Sequence, residues 1–184
     1  MGDRVSRTQL DRLYAAVRDV PDFPKPGILF RDITPMLLDA KLFKKAVREM
    51  AQPFKTARVD RVMAIESRGF ILGAPVALAL GAALVPARKP GKLPWKRHRI
   101  EYELEYGTDA IEVHEDAIGS GHRVLIVDDV LATGGTAAAA ARAVEKAGGR
   151  LVGLSFLIEL AVLDGRKRLG KSRVESLLTY PRPD

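Results

Sequence analysis

The sequence predicts an α/β fold with a central, mostly parallel sheet flanked by helices, and three observations carry that expectation. Short apolar runs near residues 61–65, 83–86, 124–127 and 152–158 alternate with stretches of helical apolar spacing, the order expected of parallel strands joined by helices. The run at 124–127, Val-Leu-Ile-Val, is uncharged and β-branched, which suits a strand buried on both faces. It ends in Asp128 and Asp129, and the following Thr133-Gly134-Gly135-Thr136 loop feeds an Ala-rich stretch, so ligand chemistry sits where open α/β sheets bind ligands.

Taken along the chain, a helix over about 9–17 is predicted by Leu10, Leu13, Ala16 and Val17 at helical spacing. Pro21, Pro24, Pro26 and Gly27 then impose an irregular turn before residues 28–30. Thr34-Pro35 reads as a helix start, with a further helix over about 41–50 and a strand at 61–65. Residues 69–87 are uncharged and long enough to cross a bilayer, but Gly73, Pro75, Gly81 and Pro86 break them. They read better as a buried helix over about 72–80, a Gly81 cap and a strand at 83–86. Lys89, Pro90, Gly91, Lys92 and Pro94 give residues 88–107 the composition of a mobile lid. Within it, Glu101, Glu103 and Glu105 share one strand face, ordinarily an exposed edge. After the 124–127 strand come a helix over about 137–147, a strand at 152–158 and a solvated basic loop at 165–172. No repeat, linker or low-complexity segment divides residues 1–184, so one domain is expected.

Composition excludes some chemistry without choosing the rest. With no cysteine there is no disulfide, thiolate zinc site or cysteine nucleophile, which fits a reducing, cytoplasmic setting and leaves oxygen ligands for any metal. The net charge of +7 suits nucleic acid, but equally a substrate bearing phosphate and diphosphate. Gly2 with Ser6 matches the bare myristoylation pattern, a short pattern readily met by chance. Residues 165–172 fit the Walker A expression, but its interior is crowded with long basic side chains and only 12 residues follow, too few for the rest of such a nucleotide site.

Residues 128–136 hold the sharper signal. Free amides and the positive end of a helix dipole favour a phosphate at the Gly134-Gly135 loop, and the threonines add hydroxyl donors. Two carboxylates beside a phosphate would repel it unless they accept from hydroxyls or help hold a divalent cation, and a ribose 5-phosphate with Mg²⁺ offers both. The plainer alternative is a strand ending in a polar turn and a capped helix. Glu66-Ser67-Arg68-Gly69 lies at the same sheet edge, where an arginine suits two-point contact with diphosphate and, alternatively, an exposed salt bridge. Phe30 could stack on a purine or simply fill the core.

The 124–136 segment resembles the phosphoribosyl-diphosphate signature of the type I phosphoribosyltransferases. Residues 21–35, 64–70, 88–93 and 101–107 narrow the resemblance to the adenine-using branch and extend it over nearly the whole chain. The resemblance implies that family's fold, with an N-terminal hood over about 1–35 and a flexible lid over about 88–108. It implies that Asp128 and Asp129 hold ribose hydroxyls, that Ala132, Thr133, Gly134, Gly135 and Thr136 hold the 5-phosphate, and that Ser67, Arg68 and Lys89 meet the diphosphate. An unusual backbone is implied at Ser67-Arg68. Adenine would meet the backbone of Leu29 and Arg31, stack on Phe30 and have Leu160 on its far side, while Glu105 would handle the proton at the imidazole edge. Residues 95–100, Trp-Lys-Arg-His-Arg-Ile, depart from the small, polar and acidic residues of the family.

The implied reaction is Mg²⁺-dependent transfer of a 5-phosphoribosyl group from its 1-diphosphate to adenine, giving AMP and diphosphate, with the metal held mainly by substrate and water near Asp128. A homodimer is implied as well. Two rivals stay open: an enzyme of the same fold using hypoxanthine, guanine or xanthine, and a non-catalytic sensor of phosphoribosyl diphosphate that binds nucleic acid. Against the second, the sequence shows no appended helix-turn-helix.

Overall fold

In a computed structural model, which describes residues 7–103 and 108–181, the chain begins with α1 (Arg7–Ala15), β1 (Arg18–Val20) and β2 (Phe30–Asp32), followed by α2 (Thr34–Leu38) and α3 (Ala40–Ala51). The central elements are β3 (Arg61–Ile65), α4 (Arg68–Leu80), β4 (Ala83–Ala87), β5 (Arg97–Glu103), β6 (Thr108–His114), β7 (Arg123–Leu131) and α5 (Gly135–Lys146). The chain closes with β8 (Arg150–Leu160) and β9 (Val174–Tyr180). Five strands form one sheet in the order β4-β3-β7-β8-β9, every pairing parallel. Two antiparallel pairs, β1-β2 and β5-β6, flank it.

Alternation along the strands sends side chains to two cores. On one face Val62, Leu125, Val127 and Leu157 pack with Leu13, Met50, Phe54, Leu72 and Val76 from α1, α3, α4 and the 3₁₀ turn after α3. On the other, Met63, Val124, Ile126 and Phe156 meet Ala140, Ala143 and Val144 of α5 and Ile111 and Val113 of β6. Residues 124–127 are wholly buried, as their composition predicts. The alanines of α5 let that helix lie close to the sheet, and Gly73 does the same for α4, since a methyl there would overlap Ala64 of β3.

Helix ends shift from expectation for local reasons. Gly81 adopts a left-handed φ of 65° and closes α4 as expected, but the helix begins at Arg68, four residues before the predicted 72. Likewise α5 begins at Gly135 rather than 137, which brings Gly135 and Thr136 into its first turn. In both cases the loop itself supplies the first helical turn, where backbone amides lack intrahelical partners. β1, β6 and β9 were not foreseen: each is mixed in polarity and held by strand pairing, and β1 is only three residues long. Among the described residues, no helix is long and apolar enough to cross a membrane. The 69–87 stretch is α4 and edge strand β4, and α4 is not the wholly buried helix expected, since only its Leu72-Gly73-Val76-Ala77 face meets the core while Ile71 and Leu78 are exposed.

Candidate active site

Asp128 and Asp129 stand in the carboxyl-terminal half of β7, which runs on to Leu131 rather than ending at the expected 127 because pairing with β8 continues to Glu159. The Asp129 N–H donates to Asp128 Oδ1 at 2.8 Å, fixing the first carboxyl. Burial, then the neighbouring Asp129, pushes the Asp128 carboxyl well above the usual carboxylate range. Burial also raises Asp129, against the pull of Arg68. This is a pair poised to be neutralised or bridged by hydroxyl donors or a cation. Gly69, in the first turn of α4, packs directly on it: a Cβ there would fall 2.8 Å from Asp128 Oδ1 and 3.1 Å from the Val127 carbonyl oxygen.

The loop that follows encloses a cavity of about 80 Å³ lined by Asp128, Ala132, Thr133, Gly134, Gly135 and Thr136 among others. Gly134 takes a left-handed φ of 80° immediately before α5, and its carbonyl accepts from the Ala138 N–H at 2.9 Å. The predicted loop residues are thus gathered around one hollow at a helix N-terminus, a geometry suited to a phosphate.

From the first turn of α4, Arg68 reaches across to the second aspartate. Its Nε lies 2.8 Å from Asp129 Oδ2, an oxygen that is buried and receives no aligned hydrogen bond. Its guanidinium carbon is 4.7 Å from the Phe30 ring centre, a cation–π arrangement. Phe30, half-buried in β2, also meets Phe23 edge to face at 5.1 Å. One arginine therefore joins the hood's aromatic platform to the carboxylates of the sheet. Ser67 is the exposed N-cap of α4, and the peptide before it, Glu66-Ser67, is cis; the unusual backbone falls one bond earlier than the expected Ser67-Arg68.

The chain as a whole is similar to known proteins. The phosphoribosyl transferase domain model matches residues 34–177. An adenine phosphoribosyltransferase of Myxococcus xanthus is 59% identical over 168 residues, covering 91% of each chain. One of Anaeromyxobacter dehalogenans is 56% identical over 171 residues, 93% of this chain and 99% of that one. The chain belongs to the adenine phosphoribosyltransferase family. Among solved members, the Rhodothermus marinus structure superimposes with a TM-score of 0.92 at 53% identity, covering 95% of this chain and 100% of the other. The Saccharomyces cerevisiae protein, at 40% identity and a TM-score of 0.89, covers 94% of this chain and 100% of that one and was solved with adenine and an iminoaltritol bisphosphate.

Within this phosphoribosyltransferase fold, the base of the predicted lid is tied down by two carboxylates. Glu66 accepts from the Lys89 N–H at 2.8 Å and from Arg88 Nη2 at 3.2 Å, and these bonds, the Lys89 amide first, lower its pKa. Glu112 of β6, almost fully buried, accepts from the Gly91 N–H at 3.0 Å and pairs with Arg97 Nε at 3.0 Å. The basic stretch at 95–100 thereby acquires a partial explanation. Arg97 is a structural partner of Glu112 in the β5-β6 hairpin, whereas Lys96 is exposed and Arg99 pairs with exposed Glu101. Lys89 itself is held by Asp109 and by Tyr102 Oη at 3.2 Å. Although burial alone would lower the Lys89 pKa, its bonds to Asp109 and Tyr102 raise it. Tyr102 in turn accepts from Thr136 Oγ1 at 3.2 Å, so the hairpin touches the rim of the 132–136 hollow.

Other expected residues fall into place unevenly. The Arg31 side chain is buried away from the cleft, paired with Asp19 and 4.2 Å over the Tyr180 ring, so only its backbone remains for base recognition. Leu29 is half-buried beside Phe30, and half-buried Leu160 ends β8. Glu105 lies outside the described residues. The 165–172 segment is not a free solvated loop. It forms a 3₁₀ turn, Gly165–Leu169, with Leu169 buried and Arg166 bound to the buried Glu159. Sequence reasoning missed Glu159, Tyr102, Asp109 and Glu112. An acidic residue inside an otherwise apolar strand was the available signal for Glu159.

Proposed function

We propose that this chain performs the adenine phosphoribosyltransferase reaction of its family through the residues gathered at the β7 edge. Adenine attacks the anomeric carbon of 5-phospho-α-D-ribose 1-diphosphate, the new C–N bond forms as the C–O bond to diphosphate breaks, and AMP and diphosphate result. The observation that carries this reading is the convergence of the 132–136 hollow, the Asp128-Asp129 pair and Arg68 at one end of a parallel sheet, with Phe30 held over that arginine.

The 5-phosphate occupies the hollow, so binding energy from a remote group positions the anomeric carbon. Asp128 and Asp129 accept from the ribose hydroxyls. Arg68 and Lys89 stabilise charge that develops on the leaving diphosphate, and Ser67 borders that group. Adenine stacks on Phe30, reads the backbone of Leu29 and Arg31, and has Leu160 on its far side. Glu105 holds the proton at the imidazole edge. Closure of the 88–108 segment excludes water from the ribosyl centre.

Among the described residues no three His, Cys, Asp or Glu side chains gather as a cage for a metal. The two carboxylates fit Mg²⁺ only as minor partners near Asp128, with substrate and water supplying the other oxygens. Bound there, the ion would neutralise diphosphate charge. A homodimer is supported by the apolar face of α4 and edge strand β4, where Ile71, Leu78 and Leu84 are 44%, 83% and 41% exposed. A cytoplasmic location is consistent with the absence of cysteine.

Steady-state assays with adenine, hypoxanthine and guanine, each with phosphoribosyl diphosphate and Mg²⁺, test the reading. Adenine should be favoured by at least ~10²-fold in kcat/KM, because a mismatched base leaves buried polar groups unpaired. Comparable turnover of hypoxanthine would sink it.

A further inference from the structure

Residues 165–172 match a nucleotide-binding expression, yet the Gly165–Leu169 turn that opens them has another use in the structure. Its first residue packs backbone to backbone against the phosphate loop. A Cβ on Gly134 would overlap the Gly165 carbonyl oxygen and lie 3.1 Å from its carbon. A Cβ on Gly165 would overlap the Ala132 carbonyl oxygen and lie 3.0 Å from Leu131 Cδ1. No side chain fits between the two turns, so the position of one sets the position of the other.

The next residue pins that turn. Arg166 meets Glu159 with two nearly parallel bonds, Nε to Oε1 at 2.6 Å and Nη2 to Oε2 at 2.7 Å. Its Nη1 also donates to the Val174 carbonyl at 2.9 Å, and Nη2 reaches Ser176 Oγ at 3.4 Å. Glu159 pairs in register with Leu131, the residue that ends β7 and opens the phosphate loop. Leu169, buried in the core, anchors the far end of the turn. The planar fork of an arginine defines orientation as well as distance, which a lysine would not.

We propose that Glu159 and Arg166 are positioning residues for the transfer reaction, holding the Gly165 turn against residues 132–134 and so fixing the amides that grip the 5-phosphate. Neither touches the substrate. This rests on the reading that the 132–136 hollow takes the 5-phosphate. Its consequence is selective: loosening the pair weakens ligands that carry the 5-phosphate and spares those that do not, whereas a pair that only stabilises the fold affects both alike.

The test measures calorimetric affinities of the full-length protein for AMP, ribose 5-phosphate and adenine in wild type, Arg166→Lys, Glu159→Gln, the double variant and Thr136→Ala. Arg166→Lys and Glu159→Gln should each weaken AMP and ribose 5-phosphate about tenfold or more, the scale expected when a binding group moves by a fraction of an ångström. Adenine affinity should stay within about threefold, and KM for phosphoribosyl diphosphate should rise more than kcat falls. The double variant should be no worse than the weaker single, since the two act as one unit. Unchanged AMP affinity in both single variants, with Thr136→Ala weakened, would overturn the positioning role and leave the phosphate site standing. Unchanged affinity in all four would overturn the phosphate site itself. Equal losses for AMP and adenine would reduce the pair to a fold staple. Should either single variant fail to fold, Arg166→Gln read by the same affinity ratio decides the question.

Discussion

Gly69→Ala places one methyl between α4 and the carboxylate that the proposed reaction needs most. The new Cβ would stand 2.8 Å from Asp128 Oδ1, 3.1 Å from the Val127 carbonyl oxygen and 3.3 Å from Asp128 Cα, where ordinary contact begins at 3.4 Å. The shortfall of 0.6 Å at Oδ1 and 0.3 Å at the carbonyl must be relieved by movement. The Val127 and Asp128 backbone belongs to the central strand and cannot give, so the carboxyl turns or the start of α4 lifts. Turning the carboxyl breaks its 2.8 Å bond from the Asp129 N–H, a loss of about 1–3 kcal/mol for a buried pair. Lifting α4 instead shifts Arg68, the neighbouring residue. Either way a group on the ribosyl diphosphate moves by roughly half an ångström in a site where ~1 Å costs about 10²-fold. We therefore expect kcat/KM for phosphoribosyl diphosphate to fall about 10- to 100-fold. The melting temperature should fall by about 2–12 °C at 2–4 °C per kcal/mol for a chain of this size. Steady-state kinetics with varied phosphoribosyl diphosphate and a thermal melt check both. Kinetics within about threefold of wild type, at whatever stability, would refute the reasoning, because the contact would then not govern the carboxylate's position.

Glu105→Gln should lower kcat by about 10² to 10⁴ while adenine and phosphoribosyl diphosphate still bind, the usual scale for a positioned acid or base; an equal loss in Glu101→Gln would show that the single-residue assignment is wrong. Lys96→Ser with Arg99→Ser should raise KM for phosphoribosyl diphosphate at low ionic strength, with the difference fading near ~0.15 M salt as the Debye length falls to about 8 Å. Arg97→Ser should instead lower stability by about 1–3 kcal/mol, since Glu112 is almost fully buried and among the described residues would keep only the Gly91 amide for its carboxylate; chemical denaturation separates the two behaviours. Glu66 has its folded pKa depressed below its ordinary 4.5 by the Lys89 amide and Arg88. Its contribution is therefore complete above pH 4.5 and lost as pH falls through the lower folded value. Glu66→Gln should be less stable than wild type at neutral pH, with the gap closing on acidification; a gap that stays constant with pH would remove the ionised carboxylate from the account.

The shape of the candidate site was legible wherever it was local in the chain. Residues 124–136 state a buried strand, two acids and a glycine turn in thirteen consecutive positions, and neither the strand's burial nor the hollow after it depends on a distant partner for its recognition. Gly81 likewise announced the end of α4 because a left-handed cap is a property of one residue. What stayed hidden was decided by partners far along the chain. Nothing near Arg31 foretells that its guanidinium lies over Tyr180, and nothing near Arg97 foretells a buried Glu112. The 165–172 segment shows the same division: its composition reads as an exposed basic loop, and only the parallel register of β7, β8 and β9 brings Glu159, Val174 and Ser176 around Arg166. Long charged side chains have no fixed surroundings until the fold closes around them. Burial then penalises every unpaired charge strongly enough that geometry, not local preference, selects the partner.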